Sequence, residues 1–155
     1  HIDISVAQVA SYENLFILTR KLCNSQEDIE ELFKRMVFNV LALNYDDHTK
    51  NFSFIMDKKG IWSLSPAYDI TYSKGMATQH LTTIGGKSKD FKMDDLLKIA
   101  KLHSIKNSKA LEIINKTIEV IQTFEDRAKE INLEESIIKE CKGNIEYQIS
   151  LLMLR

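Results

Sequence analysis

The stretch NYDDHTKNFSF, residues 44–54, puts two carboxylates, an imidazole, an ammonium and a carboxamide into the six positions Asp46–Asn51. A helical run leads into it and a strand-like run leaves it. Upstream, Ser25 is suited to cap a helix, with Asp28 three residues on as a variant capping box. Ile29, Leu32, Phe33, Met36, Val37, Val40 and Leu41 then recur at helical spacing and form a broad apolar face. Downstream, Phe52, Phe54 and Met56 alternate with Ser53 and Asp57, the pattern of a half-buried strand. DKKG, residues 57–60, reads as a turn with Gly60 free to take positive φ. IWSL, 61–64, then pairs back to make a hairpin that Pro66 ends.

The rest of the chain is predicted mainly helical. Val6, Val9, Ala10, Leu15, Leu18 and Leu22 predict a helix over 5–22. Residues 71–91 hold three of the five glycines and read as a loop with one short strand at LTTI, 81–84. Asp94 and Asp95 open a helix that His103 closes, in keeping with the helix dipole. Ser108 is placed to cap a long helix through Ala128, with Ile113, Ile114, Thr117, Ile118, Ile121 and Phe124 along its inner face. A last helix follows, weakened at Gly143. The expected fold is therefore mainly α with a small β-hairpin.

The 155 residues are enough for one domain that buries a core without staples. With 44% apolar and 28% charged residues, global disorder is excluded. A net charge of −1 supplies no field for nucleic acid or an anionic membrane, and no apolar run is long enough to cross a bilayer. Cys23 and Cys141 stand far apart with no metal spacing around them and read as reduced thiols, so the expected compartment is the cytoplasm. The chain opens on His1, which reads like the middle of a longer protein.

Asp46 and Asn51 form D-x-x-x-x-N, and Asp69 follows eighteen positions later, beyond the hairpin. A loop after a helix can aim Asp46 at a hydroxyl proton. Asn51, where the chain turns into the hairpin, can offer an amide oxygen to a divalent cation, and the returning strand can bring Asp69 to the same ion. Magnesium takes hard oxygen ligands and keeps water and phosphate oxygens in its shell, so two protein ligands suffice when a nucleotide supplies the rest. Phosphoryl transfer asks for little else beyond an aligned acceptor and neutralised charge.

NYDDHTKNFSF followed by WSLSPAYDI resembles the catalytic core of HipA-type serine/threonine kinases, the toxins of bacterial toxin–antitoxin pairs. The match lies on Asn44, Asp46, His48, Lys50, Asn51, Phe52, Ser53, Leu64, Pro66, Tyr68 and Asp69. The resemblance implies the helical C-terminal lobe of a protein-kinase-like fold over 1–155, with ATP and Mg2+ as cofactors. It makes Asp46 the catalytic base and Asn51 and Asp69 the metal ligands. It places His48 and Lys50 along the nucleotide phosphates and Tyr68 by the adenine side, although Tyr68 also reads as a packed ring with a satisfied hydroxyl. It implies a protein substrate, such as a translation component, and a DNA-binding antitoxin as partner.

The departures are as informative. No G-x-G-x-x-G loop or V-A-I-K-like strand precedes Asp46, so the nucleotide-covering N-terminal lobe is expected to be missing and the isolated chain poorly active. A non-catalytic, pseudokinase-like or antitoxin-docking module is the alternative, and a small-molecule or lipid kinase is a third. Asp47 reads as an exposed acid, Lys87 and Lys89 as a solvated charge run, and His80 and His103 as chemically idle. A zinc site from His48, Asp69 and His80 matches no spacing rule.

Overall fold

The computed structural model describes residues 10–74 and 77–154. Its organising element is α2, Gln26–Leu41, and the reason lies in the sequence. Ser25 caps it by accepting the Asp28 N–H at 3.2 Å, and Ile29, Leu32, Phe33, Met36, Val37, Val40 and Leu41 are fully buried. Each such side chain stabilises the fold by about 1.5–3 kcal/mol relative to exposure. α2 packs against α1 (Tyr12–Cys23), α4 (Asn107–Gln122), α6 (Glu135–Met153) and the second hairpin strand. α3 (Met93–Leu102) closes the core with Leu96 and Ile99. The capping box expected at Ser25 is only half made. The Asp28 carboxylate is used elsewhere, accepting the Leu64 N–H at 2.8 Å.

β1 (Phe54–Met56) and β2 (Trp62–Leu64) are antiparallel, with Phe54 opposite Leu64 and Met56 opposite Trp62. Asp57 Oδ1 accepts the N–H groups of Lys59 and Ile61, and Gly60 sits at φ +81°, a conformation few other residues adopt. The hairpin is anchored at its base. The Arg35 guanidinium donates to the Ser65 carbonyl at 2.6 Å, and Asp28 holds Leu64. The half-buried reading of this strand holds only there: at the tip, Ile55, Met56 and Ile61 are exposed.

Several expectations are corrected. Among the described residues α1 starts at Tyr12, because the Ala10 carbonyl accepts the Thr83 N–H at 2.8 Å and Ser11 caps the helix. Val6 and Val9 lie outside the described residues, and Leu18 is exposed. The inner face of α1 is Tyr12, Leu15, Phe16 and Thr19. No strand forms at 81–84 among the described residues; isolated bridges join Ser11 to Thr83 and Ile84 to Lys87. Ser108 makes no cap bond, and α4 begins at Asn107. The long helix breaks at Thr123, whose hydroxyl bonds the Val120 carbonyl, and resumes as α5 (Phe124–Glu130). α6 runs through Gly143 without interruption. Lys87 is not a free charge; it pairs with Asp95 at 2.8 Å. The two cysteines are free thiols. No helix among the described residues is long and apolar enough to cross a membrane.

Candidate active site

α2 ends at Leu41, and Leu43 at φ +53° turns the chain sharply into the charged stretch. The left-handed conformation costs a branched residue about 1–2 kcal/mol. Bonds around Leu43 offset it: its carbonyl accepts the N–H groups of Tyr45 and Ser73 at 3.0 and 3.2 Å. The turn leaves Asp46 half-exposed, with both backbone groups engaged. Its N–H donates to Ser73 Oγ at 3.0 Å, and its carbonyl accepts from Asn51 Nδ2, also at 3.0 Å. Asn51 closes a short 3-10 turn, Thr49–Asn51, and that bond leaves its Oδ1 available as an oxygen ligand.

The hairpin then carries the chain back. Beyond Pro66, Asp69 is exposed and adopts φ +53°. One ligand atom each of Asp46, His48 and Asp69 lie within 4.8 Å of one another. His48 Nε2 is 3.9 Å from Asp46 Oδ1, and its Nδ1 is buried without a partner. Asn51 and Asp69 line one small recess together with Tyr68, Asn44 and Asn39. The four residues Asp46, His48, Asn51 and Asp69 are thus brought to one place. Lys50 is exposed beside them, and the Tyr68 hydroxyl donates to the Lys50 carbonyl at 2.7 Å, so that the ring sits at the rim, partly exposed. His80 is not in the cluster.

His80 belongs instead to a buried network that corrects the reading of Asp47. Asp47 is fully buried. Its Oδ2 accepts the Tyr12 hydroxyl at 3.0 Å and lies 2.9 Å from His80 Nδ1, and its Oδ1 accepts the N–H groups of Leu81 and Thr82, both at 3.0 Å. Four partners satisfy one carboxylate, which is how a buried charge is tolerated. Burial, followed by the charge of Asp47, raises the Tyr12 hydroxyl well above the usual tyrosine range. Asn39 donates to that hydroxyl at 3.0 Å and accepts from Asn44 Nδ2 at 3.1 Å. Asn44 also reaches the Asp69 carbonyl at 3.3 Å and accepts from Ser73 Oγ at 3.1 Å. Tyr12 and Ser73 gave no site signal in the sequence and His80 read as idle, since they lie 27 to 35 positions from the aspartates they hold; Asn39, five positions from Asn44, was hidden in the pattern of α2.

Residues 2–125 match the family model described as the HipA-like C-terminal domain. The chain belongs to that family. This HipA-like domain is 31% identical, over 100 residues, to the Sinorhizobium fredii (strain NBRC 101917 / NGR234) protein named "Putative kinase Y4dM". The matched stretch covers 61% of the domain and 24% of the relative. In structure the HipA-like domain is similar to a chain of the Shewanella oneidensis MR-1 toxin–antitoxin complex of HipA, HipB and operator DNA. The TM-score is 0.73 at 18% identity, over 93% of the domain and 36% of that chain. The domain therefore spans about a quarter of the curated relative and about a third of the solved chain, and its fold is kinase-like.

Proposed function

We propose that this HipA-like domain is the catalytic lobe of an ATP- and magnesium-dependent serine/threonine protein kinase of the HipA type. The observation that carries the reading is the convergence of Asp46, His48 and Asp69 within 4.8 Å, with Asn51 on the same recess as Asp69. The donor chemistry fits the cation. A carboxylate and an amide oxygen are hard ligands of the kind magnesium takes, and their number leaves room for water and phosphate. Asn51 and Asp69 would hold the ion, which when bound supplies charge neutralisation on the transferring phosphoryl group.

The chain's own residues do the rest. Asp46, its backbone fixed at both ends, presents a carboxylate that accepts the proton of an incoming protein hydroxyl. A positioned base of this kind is worth on the order of 10²–10⁴ in rate. His48 and Lys50 stand beside it as cationic or donor groups for phosphate oxygens, and Tyr68 forms the rim near the base of the nucleotide. The domain spans a minor part of its relatives, and the given sequence holds no G-x-G-x-x-G ahead of Asp46. On this reading the isolated domain is a half-site, and the kinase completed by an N-terminal lobe works in the cytoplasm on a protein substrate such as a translation component.

A second reading is a docking module for an antitoxin. It is favoured by the similarity to a HipA chain found in complex with HipB and DNA. Phosphorylation assays with ATP and Mg2+ separate the two. The protein carrying the N-terminal lobe is expected to transfer phosphate, Asp46→Asn to abolish transfer, and the isolated domain to be nearly inactive. Substantial turnover by the isolated domain overturns the half-site reading. Transfer unaffected by Asp46→Asn overturns the role of the base.

A further inference from the structure

We propose that the Asn44 side-chain amide is a positioning device that sets the separation between the segment bearing Asp46 and the segment bearing Asp69. The inference rests on the reading of those two residues as base and metal ligand, and extends it to a residue that touches neither carboxylate.

Asn44 is 1% exposed, and every polar function of its amide is committed. One N–H goes to Asn39 Oδ1 at 3.1 Å, which roots it in the last turns of α2. The other goes to the Asp69 carbonyl at 3.3 Å. The oxygen accepts from Ser73 Oγ at 3.1 Å, and that same hydroxyl oxygen accepts the Asp46 N–H at 3.0 Å. A single planar group thus reaches the metal-bearing residue directly and the base-bearing residue through one hydroxyl.

Chemistry restricts who can fill this position. The site requires two donors and one acceptor in one plane at a fixed reach, and only a carboxamide offers that. Aspartate has no donor, serine is too short, and glutamine is a methylene too long. Backbone strain gives the device something to hold. Leu43 and Asp69 both take φ +53°, a region that non-glycine residues hold only where their surroundings fix them. Among the described residues, moreover, the Asp46 and Asp69 carboxylates make no hydrogen bond to one another. Their spacing is inherited from the backbones, which Asn44 and Ser73 cross-link at the roots of both aspartates, alongside the Tyr68–Lys50 and Ser73–Leu43 bonds.

The test uses the full chain and two variants. Asn44→Leu is similar in shape and uncharged, so a change in cation affinity cannot come from added charge. Ser73→Ala cuts only the arm to Asp46. Hydrogen–deuterium exchange reads the two segments, and Mn2+ titration reads the metal-bearing side. In Asn44→Leu, exchange is expected to rise at least tenfold in both 44–51 and 67–73, with at least tenfold weaker Mn2+ binding. In Ser73→Ala, the Asp46 amide is expected to exchange at least tenfold faster while Mn2+ affinity stays within twofold. Loosening of 44–51 alone in Asn44→Leu overturns the proposal. If that variant does not fold, an unchanged Asp46 amide in Ser73→Ala overturns it. If the unaltered chain binds no Mn2+, the metal reading falls, and the exchange pattern still decides the role of Asn44.

Discussion

The Tyr12 hydroxyl donates to Asp47 Oδ2 at 3.0 Å across 35 positions of sequence, tying the first turn of α1 to the residue next to the candidate base. With His80 and the Leu81 and Thr82 amides on the same carboxylate, Asp47 joins α1, the charged stretch and the 80–84 segment at one buried point. Replacing it by alanine leaves four donors unpaired. A buried donor left without a partner costs about 1–3 kcal/mol. Asp47→Ala is expected to lower the urea midpoint accordingly, and an unchanged midpoint would show that the four bonds contribute little.

Tyr12 also makes stability depend on alkaline pH. Burial and the Asp47 charge hold its folded pKa well above the usual value, whereas in the unfolded chain it titrates near 10. The neutral hydroxyl therefore stabilises the fold fully below about pH 10. That contribution is lost as pH rises further, because the unfolded chain releases a proton that the folded chain keeps. Tyr12→Phe is expected to be less stable at neutral pH by about 1–3 kcal/mol, through the lost hydrogen bonds. Its stability should also fall less steeply than that of the unaltered chain between about pH 9 and 11. Parallel curves would exclude Tyr12 as the titrating group.

In the proposed kinase that joins this domain to an N-terminal lobe, Asp46→Asn is expected to lower kcat by on the order of 10²–10⁴ while leaving Mn2+ binding nearly intact. Asp69→Asn is expected to weaken Mn2+ binding and lower kcat together. The two substitutions thus separate proton transfer from cation binding, by steady-state kinetics and metal titration on the same samples. Equal loss of metal affinity in both would make Asp46 a ligand and not a base.

Asp28 gives the hairpin its tether. Its Oδ1 accepts the Leu64 N–H at 2.8 Å from 36 residues away. Asp28→Ala is expected to destabilise the fold by about 1–2 kcal/mol, with faster amide exchange at Leu64 and little change in α4. Unaltered protection at Leu64 would mean that Arg35 and strand pairing hold the hairpin alone.

The readable parts of this protein were those in which local pattern and final environment agree. The apolar face of α2 with its Ser25 cap, and the hairpin around Asp57 and Gly60, are encoded within a few residues. So was the spacing that brings Asp46, Asn51 and Asp69 together, because a short hairpin necessarily returns the chain near its start. Asp47 was misread because a pair of acids after a helix looks solvated, and no neighbouring residue announces that 80–84 will fold over it. The start of α1 was misplaced for the same reason: Thr83, which claims the backbone at Ala10, is 73 positions away. The break at Thr123 escaped because the apolar spacing runs on through it, and the interruption is marked only by bonds at Thr123 itself, whose hydroxyl and backbone N–H both reach the Val120 carbonyl.

The left-handed backbone at Asp69 bears on how a dead-site control should be built. Alanine there would delete the carboxylate and also occupy a conformation it disfavours, so a lost activity would carry two causes at once. Asparagine tolerates that backbone better and isolates the missing charge. A glycine replacement would do the reverse, relaxing the main chain while removing the ligand, and comparing the two would weigh geometry against charge at a single position.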